Sequence, residues 1–293
     1  MIITLNNKKF SASIDSLGAQ LISLKDSAGK EYIWQRDPAF WKNCSPLLFP
    51  IVGNCRGGKT MIEGTWYEIP KHGFCKETDF EVTNQSETSA RFSITSTEKT
   101  REVYPYEFRL SLTYTLTDDG LSMDYTVENL EARTIYYCLG AHPGFVTPLH
   151  DGEKFSDYQL EFEKEEHADS IVYDLDNLQF DVNNRLPLLH GTNILPLDYH
   201  LFDNDAIFFP EIASRKVSIV HPGTRKGIEV DYRGFDTIAF WTPDHKEAPF
   251  LCVEPWNGSA ICSDEDDEFI HKNHVQSLKA GEAGEYHLGI RIL

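Results

Sequence analysis

FRLSLTYTLTDDGLSMDYTVEN, residues 108–129, settles the fold class. From Phe108 to Leu116 every second residue is apolar: Phe108, Leu110, Leu112, Tyr114 and Leu116 share one face. Arg109, Ser111, Thr113 and Thr115 share the other. A period of two is the signature of a strand with one buried and one solvated face. TDDG follows as a turn, with Gly120 available for positive φ, and LSMDYTVEN resumes the alternation. The segment is therefore an antiparallel hairpin.

The pattern recurs on both sides. KVSIVHPGTRKGIEVDY (216–232) is strand, loop and strand again. ARFSITST (90–97) reads as a strand, and EYHLGIRIL places Tyr286, Leu288, Ile290 and Ile292 on one face at the C-terminus. Helical spacing is scarce. SDEDDEFIHKNHVQSL (263–278) is expected to hold one short helix, with Ser263 and the acidic residues at its positive end and His271 and His274 at its negative end. The glycine and ligand spacing of a calcium loop are missing from that run. No repeat, linker or βαβ rhythm interrupts the chain. The expectation is an all-β protein: one large antiparallel β-sandwich domain over residues 1–293, with few short helices.

Composition narrows the partners. The 46 acidic residues outnumber 27 Lys and Arg, a net charge of −19. Such a surface repels nucleic acid and anionic membranes, and neutral ligands fit it more easily than polyanions. The six cysteines form no CxxC pair, so they read as free thiols of a reducing compartment rather than a zinc knuckle. With no signal-peptide pattern in MIITLNNKKFSASID and no apolar run of membrane-spanning length, a cytoplasmic protein is expected.

Four stretches break the alternation with glycine, proline and polar residues: CSPLLFPIVGNCRGGK (44–59), IPKHGF (69–74), LGAHPGF (139–145) and VEPWNG (253–258). Stiff loops on a rigid scaffold are where sites are built. His72 and His142 each follow a strand-like run and precede glycine or Pro-Gly. An isolated strand histidine is more often structural than catalytic; two in the same setting shift that balance. Glu254 follows the apolar FLCV, so burial is expected to raise its pKa toward that of a useful base, the alternative being a structural ion pair. Trp256 offers a face for a sugar ring or for core packing. His167 in HADS and His221 in HPG read as ordinary loop histidines. No GxSxG elbow, P-loop, HExxH or dinucleotide fingerprint is present.

In order along the chain, SPLLFPIVGN, KHGF, YPYEF, GAHPGF, LFDNDAIFF and VEPWNG resemble the aldose 1-epimerase (galactose mutarotase-like) superfamily, most closely its bacterial galactose mutarotase-related branch. The resemblance implies a galactose mutarotase-like supersandwich acting on a small-molecule sugar as a cofactor-independent isomerase, monomer or homodimer, with no metal. It implies His142 as general acid, Glu254 as general base, His72 near the ring oxygen, and Asp205 as the partner of sugar hydroxyls. Relatives carry an arginine directly after the glycine of PIVG, where this chain has Asn54. Arg56, two residues on, would face the same way on a strand and is one candidate replacement, with Asn54 itself the other. Lys76 stands where some relatives have arginine, and with Arg56 would clamp a phosphate in the hexose-6-phosphate mutarotase alternative. A non-catalytic carbohydrate-binding or sensing protein on the same fold is the other alternative, since fold alone does not fix function. A glycosidase would want a carboxylate pair, which Glu254 and the more loosely matched Asp205 supply poorly.

Overall fold

The computed structural model describes residues 1–293. Its founding hairpin is the one read above. Strands Phe108–Leu116 and Gly120–Asn129 pair in register, Leu112 opposite Tyr125 and Leu110 opposite Val127, with these apolar residues buried. Gly120 is the first residue of the second strand rather than part of the turn. What demands glycine there is contact: a Cβ would lie 1.9 Å from the Ile290 carbonyl oxygen on the neighbouring strand.

That neighbour is the C-terminal strand Ala283–Ile292, which also pairs with Gly227–Asp231. Outward from the hairpin on the other side lie Ser89–Thr95 and Glu81–Gln85. The same sheet runs on through Lys216–Val220, Gln159–Asp174, Ile207–Phe209, Thr237–Trp241, Phe250–Asn257, Leu139–Ala141 and Leu47–Leu48. Its pairings are all antiparallel, and a separate three-stranded sheet, Ile2–Asn6, Phe10–Asp15 and Gln20–Asp26, packs with it. The main core joins 70 buried residues from Ile3 to Ile290. The fold is an all-β sandwich, as the alternation predicts.

Two local expectations give way. The acidic run forms no α-helix; a single 3-10 turn, Phe269–His271, follows it, and the α-helix of the chain is Glu98–Arg101. His271 instead pairs with Asp266 at 2.8 Å, and His274 adopts φ +59°. Tertiary contacts decide this segment: Glu265 and Lys272 form an ion pair at 3.4 Å with both side chains buried, and Glu265 also accepts from the backbone and side-chain nitrogens of Asn273. His167 lies not in a loop but within the strand Gln159–Asp174, which pairs with Gln179–Pro196 as a long hairpin. Several register shifts in that hairpin disturb the period of two and hide both strands from the sequence pattern.

Candidate active site

The strand Phe250–Asn257 organises the site. It is buried along its whole length, and it pairs with Thr237–Trp241 on one side and with two short strands on the other. Those two, Leu139–Ala141 and Gly144–Val146, place Gly140 opposite Trp256 and Gly144 opposite Cys252. His142 and Pro143 are the break between them. The Pro143 carbonyl accepts from the Val253 N–H at 3.1 Å, so the break is pinned to the strand that carries Glu254. The small residues around His142 thus serve packing rather than open space for a ligand. A Cβ on Gly140 would lie 2.7 Å from Trp256 Cδ1 and 2.8 Å from Val52 Cγ1.

The outcome is a close pair: His142 Nε2 lies 3.2 Å from Glu254 Oε2, both side chains almost fully buried. Trp41 stacks on the His142 ring at 4.9 Å and Trp241 meets it edge-on at 5.8 Å. Burial drives both partners toward their neutral forms, lowering His142 to about 3 and raising Glu254 well above its ordinary range, with the Asp205 charge adding to the rise at Glu254. The His142 Nδ1 and the Trp256 Nε1 are buried without a partner.

His72 approaches from the opposite wall, its ring 5.6 Å from that of His142. It sits at φ +65°, held because its N–H donates to the Gly53 carbonyl at 2.7 Å while its Nδ1 accepts from the Gly53 N–H at 3.1 Å. Nδ1 is therefore an acceptor, and in the neutral ring the proton sits on Nε2. Burial first, then the charges of His142, Lys71 and Lys76, push the His72 pKa well down, which favours that neutral ring. The following Gly73 is required by contact, since a Cβ would lie 1.9 Å from the Phe49 carbonyl oxygen.

These groups line a cavity of about 250 Å³ together with Asn54, Lys71, Lys76, Tyr173, Phe180, Asp205 and Trp256. Asp205, at φ +71°, accepts from the Trp241 indole N–H at 2.8 Å, and burial raises its pKa. Asn54 donates to the Leu178 carbonyl at 2.8 Å and accepts from the Tyr173 hydroxyl at 3.3 Å, which ties the cavity rim to the tip of the long hairpin. A larger groove, about 1200 Å³ and lined mostly by Thr, Ser and charged residues over the strand Ser89–Thr95, contains no histidine, so chemistry rather than volume selects the site.

Of the residues singled out in the sequence, His72, His142, Glu254, Asp205, Asn54, Lys76 and Trp256 come together, and Arg56 does not. Residues 56–58 form a 3-10 turn instead of a strand, so the two-residue shift does not preserve facing. The Arg56 guanidinium turns to Gln179 Oε1 at 2.7 Å and to the Cys262 and Glu265 carbonyls. Lys71, Trp41, Trp241, Tyr173 and Phe180 were missed. Lys71 lies beside His72 inside a stretch already marked by its glycine and proline; Trp41 carries no comparable signal. Ligating atoms of His142, Cys252 and Glu254 lie within 4.8 Å of one another, a donor set suited to zinc. Burial raises the Cys252 thiol well above its ordinary pKa, which works against the thiolate a metal would need.

A family model described as aldose 1-epimerase matches residues 1–283. The chain belongs to the aldose 1-epimerase family. Among the curated proteins, the plasmid-encoded protein LacX of Lactococcus lactis subsp. lactis is 34% identical over 299 residues, with both chains fully covered. Among solved structures, a galactose mutarotase related enzyme from Lactobacillus acidophilus superposes with TM-score 0.93 at 29% identity, covering 100% of this chain and 97% of that one. A galactose mutarotase-like protein from Lactobacillus casei gives 0.92 at 30% identity with full coverage of both. As an aldose 1-epimerase family member the chain is an isomerase of carbohydrate metabolism with a sugar substrate. No helix is long and apolar enough to cross a membrane.

Proposed function

We propose that this protein interconverts the α and β anomers of a hexose by acid–base ring opening, with His142 as acid and Glu254 as base. The observation that carries the reading is the buried His142–Glu254 contact of 3.2 Å at the wall of a cavity edged by His72. The reaction needs one proton delivered to the ring oxygen O5 and one removed from the anomeric hydroxyl. His142 gives its proton to O5 as the C1–O5 bond breaks and its electron pair passes to O5. Glu254 takes the O1 proton, and C1=O1 forms. Rotation about C1–C2 presents the other face, and the steps run backwards to close the inverted ring.

Burial disfavours charge on both partners, so between their two pKa values the pair holds one proton. Shifting that proton from Glu254 to His142 makes a carboxylate and an imidazolium 3.2 Å apart, so the reactive form is an ion pair that adds no net charge to the dry site. Each positioned group contributes about 10²- to 10⁴-fold in rate. His72 would donate from Nε2 to a sugar oxygen, Asp205 and Asn54 would receive hydroxyls, and Trp256 would lie against the apolar face of the ring.

Polarimetry on freshly dissolved α-D-glucose and α-D-galactose tests the reading. Faster decay to equilibrium with the protein than without it is expected. Saturable sugar binding with no change in rate would assign it to carbohydrate binding instead.

A further inference from the structure

Trp41 is pressed against the proton-transfer pair, yet the acid–base steps give it no task. It lies outside every strand and helix. Its place is nevertheless fixed from several sides. Its N–H donates to the Asp37 carbonyl at 2.9 Å, and its carbonyl accepts from the Trp34 indole N–H at 2.8 Å. Phe250, the first residue of the strand that carries Glu254, lies near-parallel to the indole with ring centres 5.7 Å apart, and Trp34 stacks on Phe250 at 4.5 Å. Gly144 leaves room for the ring: a Cβ there would lie 3.2 Å from Trp41 Cζ3. Backbone bonds, ring neighbours and a missing side chain together select one indole orientation.

That orientation lays the indole face over His142, with ring centres 4.9 Å apart and planes inclined by 25°. Trp241 and His72 meet His142 near-perpendicular instead, at 5.8 Å and 5.6 Å, and the Trp241 N–H is taken by Asp205. The distinction is electrostatic. An aromatic ring is negative on its faces and positive at its edge. A cation over the face, within about 6 Å of the ring centre, is attracted, most strongly by tryptophan.

His142 gains from such a neighbour when it is charged. Proton delivery to O5 starts from the imidazolium, and the surroundings divide over that charge. Glu254 at 3.2 Å favours it. Burial opposes it, as do the Lys71 and Lys76 ammonium groups, and a charged His72 would repel it. We infer that Trp41 is a positioning residue of the proton transfer: its indole face holds the His142 ring in line and stabilises the imidazolium where water cannot. The inference rests on the proposed mutarotase reading. Trp41 also lines the cavity, so the competing role is a plain sugar contact. Stabilising the imidazolium acts on the proton-transfer step and is read in kcat, whereas a contact made equally before and during reaction is read in KM.

Replacing Trp41 site-specifically by mono-, di- and tetrafluorotryptophan withdraws charge from the ring face and nearly preserves its shape. Anomer exchange of glucose and galactose is followed by NMR over a range of sugar concentrations. Along the series kcat should fall stepwise, by about tenfold in total, with KM held within about twofold. Trp41→Phe, which keeps a weaker face, should lie between wild type and Trp41→Leu, which keeps none. A flat kcat across the fluorinated series overturns the role whatever the leucine variant does, because lost packing alone would account for leucine. A series that moves KM and leaves kcat unchanged also overturns it, and makes Trp41 a sugar contact. Wild type that accelerates exchange beside a flat series sinks this role alone. Wild type that does not accelerate exchange sinks the mutarotase reading and this role together.

Discussion

At the scale of single residues, the site's chemistry follows from where burial places one proton. The pair gains a second proton as pH falls toward about 3, the lowered value of His142, and loses its only proton as pH rises through the raised value of Glu254. Turnover should therefore form a bell whose acid limb lies near pH 3 and whose alkaline limb lies above the ordinary glutamate range, read as kcat/KM against pH. In Glu254→Gln the base is gone, and the small remaining rate should fall as pH rises, following loss of the His142 proton. An alkaline limb that stays in place in that variant would remove Glu254 from the assignment. The residues proposed to act were legible because histidine and glutamate interrupt apolar runs beside glycine and proline. The direction of Arg56 was not legible, because facing on a strand means nothing in a 3-10 turn whose contacts lie more than a hundred residues away.

At the scale of elements, strands with one wet face announce themselves and strands with irregular pairing do not. The hairpin 108–129 follows its alternation residue by residue, whereas the long hairpin formed by Gln159–Asp174 and Gln179–Pro196 is masked by its register shifts. Yet that hairpin supplies Tyr173 and Phe180 to the cavity, and its tip holds Asn54. The acidic run after Ser263 misled for a related reason: helical charge signals are weak beside one buried ion pair. Lys272 shows the size of that effect. Its replacement by Met leaves the Glu265 carboxylate buried without its cation, and should cost about 3–5 kcal/mol of stability. Thermal or denaturant unfolding reads this directly; an unchanged midpoint would mean that Glu265 is satisfied by its other donors alone.

At the scale of the whole molecule, one core joins residues from Ile3 to Ile290, and the strands that carry the site belong to the same sheet as the founding hairpin. We propose that residues 1–293 fold as a single domain, so that circular dichroism and cavity tryptophan fluorescence should report one coincident unfolding transition. Two separated transitions would divide the chain. In a chain of net charge −19, burial drives the cavity groups His72, His142 and Glu254 toward their neutral forms, which suits the proposed proton exchange with a sugar.

Anomer exchange by NMR, on wild type and on His142→Asn and Glu254→Gln side by side, tests the central claim most directly. The account predicts acceleration of exchange by wild type and a loss of about 10²-fold or more in each variant, with both variants still folded. Wild-type exchange rates in His142→Asn would contradict it.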